Sequence, residues 1–267
     1  MTRVPVLERA LADRRRTTIW WIVGVAAYTL VNVAVYPAVK SQAGLNDLVK
    51  QYPPALMAMF GIDAAKLDMT SAVGYLSSQM NLVGPLLLLM VGIGCGAAIL
   101  AGEEAAGTLD LVLSYPVTRT RTLFEKAGAL VVVVALVALG LFGAIVAGRL
   151  FQLDVPLGQV AAFCVSAALL GTLFGLVALA AGAATGSKAL ATGVATGAAA
   201  ATYLVNSLSP VVHALRPFRL VSPFWYAMGS DPLSNGLAVR DVAVLVGLGL
   251  AVTALGVAAF NRRDLRS

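Results

Sequence analysis

Six separate runs of about twenty apolar residues, near 18–36, 82–101, 130–148, 160–185, 189–208 and 242–260, constrain this 267-residue chain more than any other feature. A bilayer core about 30 Å thick is crossed by ~20 helical residues rising ~1.5 Å each. Within hydrocarbon every backbone N–H and C=O must find a partner inside the segment or its closed sheet. Runs of Leu, Val, Ala and Gly without period-two alternation achieve this as helices and not as barrel strands. The predicted fold class is therefore all-α, a polytopic membrane protein with six transmembrane helices forming one domain over 1–267. Composition agrees: 59% of residues are hydrophobic and 12% charged, whereas a soluble domain is about one quarter charged.

Six crossings return both termini to one side, and the distribution of cations chooses the side. Twelve of the 19 Lys and Arg lie in the N-terminal segment, the second and fourth connections and the tail. Those parts are expected in the cytoplasm, most firmly the tail with Arg262, Arg263 and Arg266. The net charge of +6 is spread over the ends of apolar runs, which reads as membrane orientation and not as a nucleic-acid surface. In residues 1–17, Val4, Leu7 and Leu11 share a helical face while Arg9, Asp13 and Arg14 to Arg16 lie around it, predicting a helix along the inner leaflet surface. The run that follows is too long for a cleaved signal sequence and reads as a signal anchor. Cys95 and Cys164 sit far apart inside apolar runs, as buried thiols and not as a disulfide or zinc set.

Two connections predicted to lie outside are long. One, Pro37 to Tyr75, carries Pro53 and Pro54. The other, Ser209 to Arg240, carries Pro210, Pro217, Pro223 and Pro232, which bar a further straight span. Phe218, Phe224, Trp225 and Tyr226 in the latter suit an interfacial belt or short helices folded back into the leaflet, with an aromatic substrate vestibule as the alternative. Gly92 with Gly96, Gly171 with Gly175, Gly182 with Gly186 and Gly193 with Gly197 recur at helical spacing, for close contact within the subunit or between subunits.

The connection 102–119 carries the functional signal. Glu103 and Glu104 precede a short amphipathic stretch in which Leu109, Val112 and Leu113 form one stripe, and Pro116 disfavours its continuation. An apolar stripe on a cytoplasmic loop calls for a cover, either a partner or the lipid interface. In a partner, Leu109 and Leu113 would each contribute about 1.5 to 3 kcal/mol. The segment resembles the Glu-x-x-x-Gly-Thr-Leu-(Asp/Glu)-x-x-Leu-(Ser/x)-x-Pro-(Val/x)-x-Arg loop of ABC-2 type transporter permeases, with Glu103, Gly107, Thr108, Leu109, Asp110, Leu113, Pro116 and Arg119 at the matching positions. Ser222 to Tyr226, Pro232 to Gly236 and Phe260 to Leu265 resemble the closing part of such permeases, including the nitrous oxide reductase maturation permease subfamily.

That resemblance implies the permease subunit of an ATP-binding cassette exporter in a prokaryotic cell membrane. It would pair with a second permease copy or paralogue and bind two cytoplasmic ABC ATPase subunits. Loop 102–119 would be the coupling helix, with Glu103, Glu104, Gly107, Thr108, Leu109, Asp110, Leu113, Pro116 and Arg119 as ATPase-coupling residues. ATP and Mg would belong to the partner, and the exported compound would be a lipid, drug, peptide or similar molecule. The chain itself is not expected to be an enzyme. Gly182 to Ala189 breaks the order of a phosphate-binding loop, since Ser187 precedes Lys188 and Ala189 follows it. His213 is the single histidine, and no Gly-x-Ser-x-Gly elbow occurs. A secondary transporter or channel is the rival reading, and its usual marks are ionisable residues or helix breaks at mid-bilayer depth. The apolar runs read as free of both. A non-transporting membrane scaffold is the second rival.

Overall fold

A computed structural model describes residues 6–42, 52–53, 56, 68, 70–105, 107, 118–210 and 212–263. The long helices are α1 (Val6–Ala34), extended by the short α2 (Tyr36–Lys40), then α3 (Ala72–Ile99), α5 (Arg119–Ala147), α6 (Leu157–Thr185), α7 (Lys188–Leu208) and α10 (Val239–Arg262). Short helices fill the joints: α4 (Ala101–Ala105), α8 (Pro223–Met228), α9 (Pro232–Asn235) and three 3₁₀ turns. The described residues contain no strand, as backbone satisfaction in lipid requires of an open chain.

Five stretches are long and apolar enough to cross a bilayer: Val6–Lys40, Ala72–Ile99, Arg119–Phe151, Leu157–Thr185 and Val239–Arg262. The run 189–208 forms the 21-residue α7 but is not among the five. Its composition explains the difference, because Ala, Gly and Thr replace the Leu and Val of the other runs. Two of its threonines bond back to their own backbone, Thr192 Oγ1 donating to the Lys188 carbonyl and Thr202 Oγ1 to that of Ala198, which satisfies those hydroxyls without making the helix strongly apolar.

Residues 1–5 of the expected separate helix lie outside the described residues, and residues 6–17 are instead the first part of α1, which runs unbroken through 29 residues. Neither Gly nor Pro occurs between Val6 and Val23 to end it. Leu7 and Leu11 pack on the bundle core, and the Leu7 amide donates to Glu125 Oε2 at 3.2 Å. Sequence reading also passed over Pro85, which lies inside α3. Without an amide hydrogen it leaves the Asn81 carbonyl without its helical donor, yet the helix continues to Ile99.

Contacts at the helix ends fix an alternating up-and-down order. The end of α1 meets the start of α3, where the Tyr36 and Tyr75 rings lie 5.1 Å apart. The end of α3 meets the start of α5 through Ile99 and Lys126, and the ends of α6 and α10 meet through Ala183 and Arg263. Thus α1 begins and α10 ends at the same end of the bundle, the end where loop 105–118 also joins it.

The centre of the bundle is the α3–α6 seam. A Cβ placed on Gly92 would fall on the Gly171 carbonyl oxygen, and one on Gly96 on that of Gly175. Helices in hydrocarbon release no water on touching, so dispersion and backbone proximity must hold them, and glycine lets the backbones approach. These four glycines therefore serve packing inside the subunit. Gly182 likewise lies against Ala101 and Ala191, whereas Gly193 and Gly197 of α7 face open space.

Candidate functional site

Glu103 and Glu104 occupy the first turn of α4, which follows α3 after a bend at Leu100. The two carboxylates part company. Glu103 is ion-paired through Oε2 to Lys126 Nζ, and the same ammonium donates to the Ile99 carbonyl at 2.6 Å. Lys126 belongs to the second turn of α5 and is 1% exposed. A lysine so enclosed gives up its water, and the Glu103 carboxylate and the Ile99 carbonyl replace it.

Glu104 turns the other way and pairs through Oε1 with Arg263, the residue immediately after α10. The other amine of the Arg263 guanidinium donates to the Ala183 carbonyl at 3.0 Å and to that of Gly182 at 3.4 Å. These carbonyls belong to the last turn of α6, where the partial negative charge of a helix end favours a cation. Gly186 ends α6 in the left-handed region at φ 68°, and a Cβ there would press on the Arg263 and Glu104 heads. Glycine thus both permits the turn and leaves room for the ion pair.

The far end of the loop is anchored to the same place. Thr118 caps α5 with its hydroxyl, accepting from the Arg121 amide at 3.3 Å. Arg119 donates to the backbone carbonyl of Arg263 at 2.6 Å and to that of Phe260 at 3.3 Å. Its guanidinium also lies 5.7 Å from the centre of the Phe260 ring, within cation–π range. Asn261 Nδ2 donates to Thr120 Oγ1 at 3.2 Å, a further tie between α10 and α5.

Of the expected coupling residues, Glu103, Glu104 and Arg119 are therefore brought together, and each is engaged with the bundle. Gly107 is exposed, adopts φ 67° and closes α4 with its amide on the Glu104 carbonyl at 3.0 Å. Thr108, Leu109, Asp110, Leu113 and Pro116 lie outside the described residues. Sequence reasoning counted Lys126 and Arg263 as orientation signals and missed their roles here. The available signal was the Glu103-Glu104 pair at the very end of an apolar run, since carboxylates at that depth demand cations from neighbouring helices.

The opposite end of the bundle is aromatic and polar. Phe224 is buried, with its ring 5.9 Å from Phe174 and 5.3 Å from Tyr203. Arg219 stacks on Trp225 at 3.6 Å, and Phe218 is exposed. Part of the aromatic set is thus core and part faces outward. Ser77 Oγ and Asn81 Oδ1 of α3 and Asn206 Oδ1 of α7 are buried without a hydrogen-bond partner among the described residues. Ser77, Asn81 and Pro85 follow at intervals of four, on one face of α3.

None of the curated proteins matches the sequence. The model of the ABC-2 family transporter proteins matches residues 4–265, which takes in every helix of the bundle and the loop that the charged brace holds at both ends. A several-helix membrane bundle and a match of that extent agree on one assignment: this chain belongs to the ABC-2 family of transporter proteins.

Proposed function

We propose that the chain is the permease subunit of an ATP-binding cassette exporter, with six membrane crossings and both termini in the cytoplasm, and that α7 is the fifth crossing. Two copies, or this chain and a paralogue, form the dimer, and two separate cytoplasmic ATPase subunits grip loop 102–119. The ATPases hold ATP and Mg. Their closure moves the loop and, through it, whole helices, opening a path for a lipid, drug, peptide or similar compound. The alternating end contacts support the even number of crossings, because α1 starts where α10 ends. The closing segments keep the nitrous oxide reductase maturation permeases as the favoured subfamily.

The observation that carries the coupling role is the double anchoring of the loop, with Glu104 near its start and Arg119 at its end both bound to Arg263. A loop meant to transmit force needs fixed ends, whereas a plain connection does not. The test is purification of the membrane complex with Leu109→Asp and Leu113→Asp together. ATPase subunits are expected to be lost while the permease remains folded in the membrane, and a full ATPase complement would refute the coupling role.

One structural feature favours a secondary transporter or channel, namely Pro85 with the freed Asn81 carbonyl. Family membership outweighs it, and the same face suits an exporter. Buried polar atoms on α3 without a hydrogen-bond partner among the described residues are groups that a passing solute or water could satisfy, which also argues against a non-transporting scaffold.

A further inference from the structure

We propose that Arg263 is the positioning residue that makes the two ends of loop 105–118 move as one body with α6 and α10. The inference rests on the coupling role proposed above and deepens it. Three sets of bonds converge on this residue. Its side chain holds Glu104 at the start of the loop and the Gly182 and Ala183 carbonyls at the end of α6. Its backbone carbonyl receives Arg119, the first residue of α5 beyond the loop.

The three sets answer to different forces. The bond to the α6 carbonyls and the Glu104 pair are charge-assisted and partly enclosed, since the side chains of Arg263 and Glu104 are 16% and 17% exposed. Pairs of this kind are stronger and more directional than exposed ones. A guanidinium presents several donors in a planar fork, so one Arg bridges two helices and a carboxylate without changing rotamer, which a lysine cannot do. The Arg119 bond needs just the main chain at 263, and therefore survives loss of the side chain. Arg263 thus ties α4 to α6 by its side chain and α5 to α10 by its backbone. A pull on the loop reaches both α6 and α10, while the Glu103–Lys126 pair carries it to α5.

The arrangement predicts an asymmetric failure. Arg263→Ala should loosen α4 and leave the start of α5 in place. Hydrogen exchange of the full chain in lipid nanodiscs reads both at once. Amides of Ala101–Ala105 should exchange on the order of tenfold faster in Arg263→Ala, the loss expected for one charge-assisted bond. Those of Arg119–Phe124 should change less than about twofold on the same bond accounting. Glu104→Ala should reproduce the effect, and the double variant should add nothing, because the two side chains act as a unit. Additive effects, or equal loosening of both ends, would overturn the proposal. Arg263→Lys keeps the ion pair and drops the bridge to α6. It should fall between wild type and Arg263→Ala, and it carries the same comparison should the alanine variant not fold; exchange identical to wild type would overturn the bridging role.

A second readout separates positioning from mere stabilisation. In the complex with its ATPases, trapping with ATP and vanadate should alter exchange in α6 and α10 of the wild type. In Arg263→Ala the ATPases should still co-purify, and the change should still reach α10 through the Arg119 bond to the backbone of residue 263 but no longer reach α6. Propagation to α6 unchanged in the variant would refute the proposal. A wild-type chain that retains no ATPase would refute the coupling function instead, and the exchange of the isolated chain would still decide whether Arg263 is the clamp.

Discussion

The α3–α6 seam and the charged brace beside loop 105–118 join helices by opposite means. At the seam, Gly92 and Gly96 lie against the carbonyls of Gly171 and Gly175, with no side chain between the backbones to bend or rotate. At the brace, Lys126, Arg119 and Arg263 reach across gaps with long side chains and polar heads. Contacts between apolar spans gain nothing from expelling water, so they depend on shape and tolerate no insertion. Contacts near the membrane boundary have water and carbonyls at hand, so ionic groups can be held there and can exchange partners. The seam is thus the stiff part of the bundle and the brace its adjustable end.

The hardest test of this contrast is Gly171→Val. Its side chain would meet the Leu88 carbonyl and Cβ, parts of a helix backbone that cannot step aside locally. Core overpacking costs about 1 to 3 kcal/mol when neighbours can shift, and here the expected result is above that range. The variant should not yield a folded protein on gel filtration in detergent, and one that melts like wild type would dissolve the idea of a rigid seam.

Next in size is Glu103→Ala, which leaves Lys126 at 1% exposure with the Ile99 carbonyl as its hydrogen-bond partner among the described residues. Removing one member of a buried pair costs ~3 to 5 kcal/mol, and the lower figure applies because the Glu103 side chain is 25% exposed. Adding Lys126→Met should recover most of the loss, since an apolar replacement needs no counter-charge. Denaturant titration in micelles checks both. A loss that persists undiminished in the double variant would mean that Glu103 acts through something other than Lys126.

The two regions were unequally legible in the sequence. Glycine spacing announced close helix contacts, but Gly92/Gly96 and Gly193/Gly197 look alike as text and differ in what they face. Pairing depends on which helices become neighbours, which no local pattern records. The runs gave every long helix, yet α3 starts at Ala72, ten positions before the predicted 82, because Ser71 caps it through the Gly74 amide. Polar Ser77, Ser78, Gln79 and Asn81 hid that first part from a hydropathy reading. The loop motif drew attention to Glu103, Glu104 and Arg119, whose contacts prove internal. Their partners, Lys126 and Arg263, are 23 and 159 residues from the acids they hold, and distance in sequence conceals such pairs.

A smaller effect is expected at Gly186. Alanine in its left-handed turn costs about 1 to 2 kcal/mol from backbone sterics, and here the methyl group also crowds Arg263 and Glu104. If the brace is adjustable, the heads shift and the loss stays near the backbone figure; if it is as rigid as the seam, the loss exceeds that range. Thermal melting of Gly186→Ala beside Gly186→Asn, which tolerates the turn better, separates the two contributions.

The smallest effect sharpens the comparison from the other side. Arg121 and Glu125 form an ion pair at 2.7 Å one turn apart on α5, but the Arg121 side chain is 61% exposed. Pairs of this kind contribute about 0.3 to 0.5 kcal/mol, so Arg121→Ala should melt within that margin of wild type. Glu125 differs from its partner because its other oxygen accepts the Leu7 amide. Glu125→Ala should therefore cost about 1 kcal/mol, the usual net value of a hydrogen bond, and should quicken exchange at Val6 and Leu7. Two residues in one ion pair would then differ because one faces water alone and the other also ties α1 to the bundle. Equal losses would show that position relative to the membrane boundary, and not the number of helices a charge connects, governs its contribution in this fold.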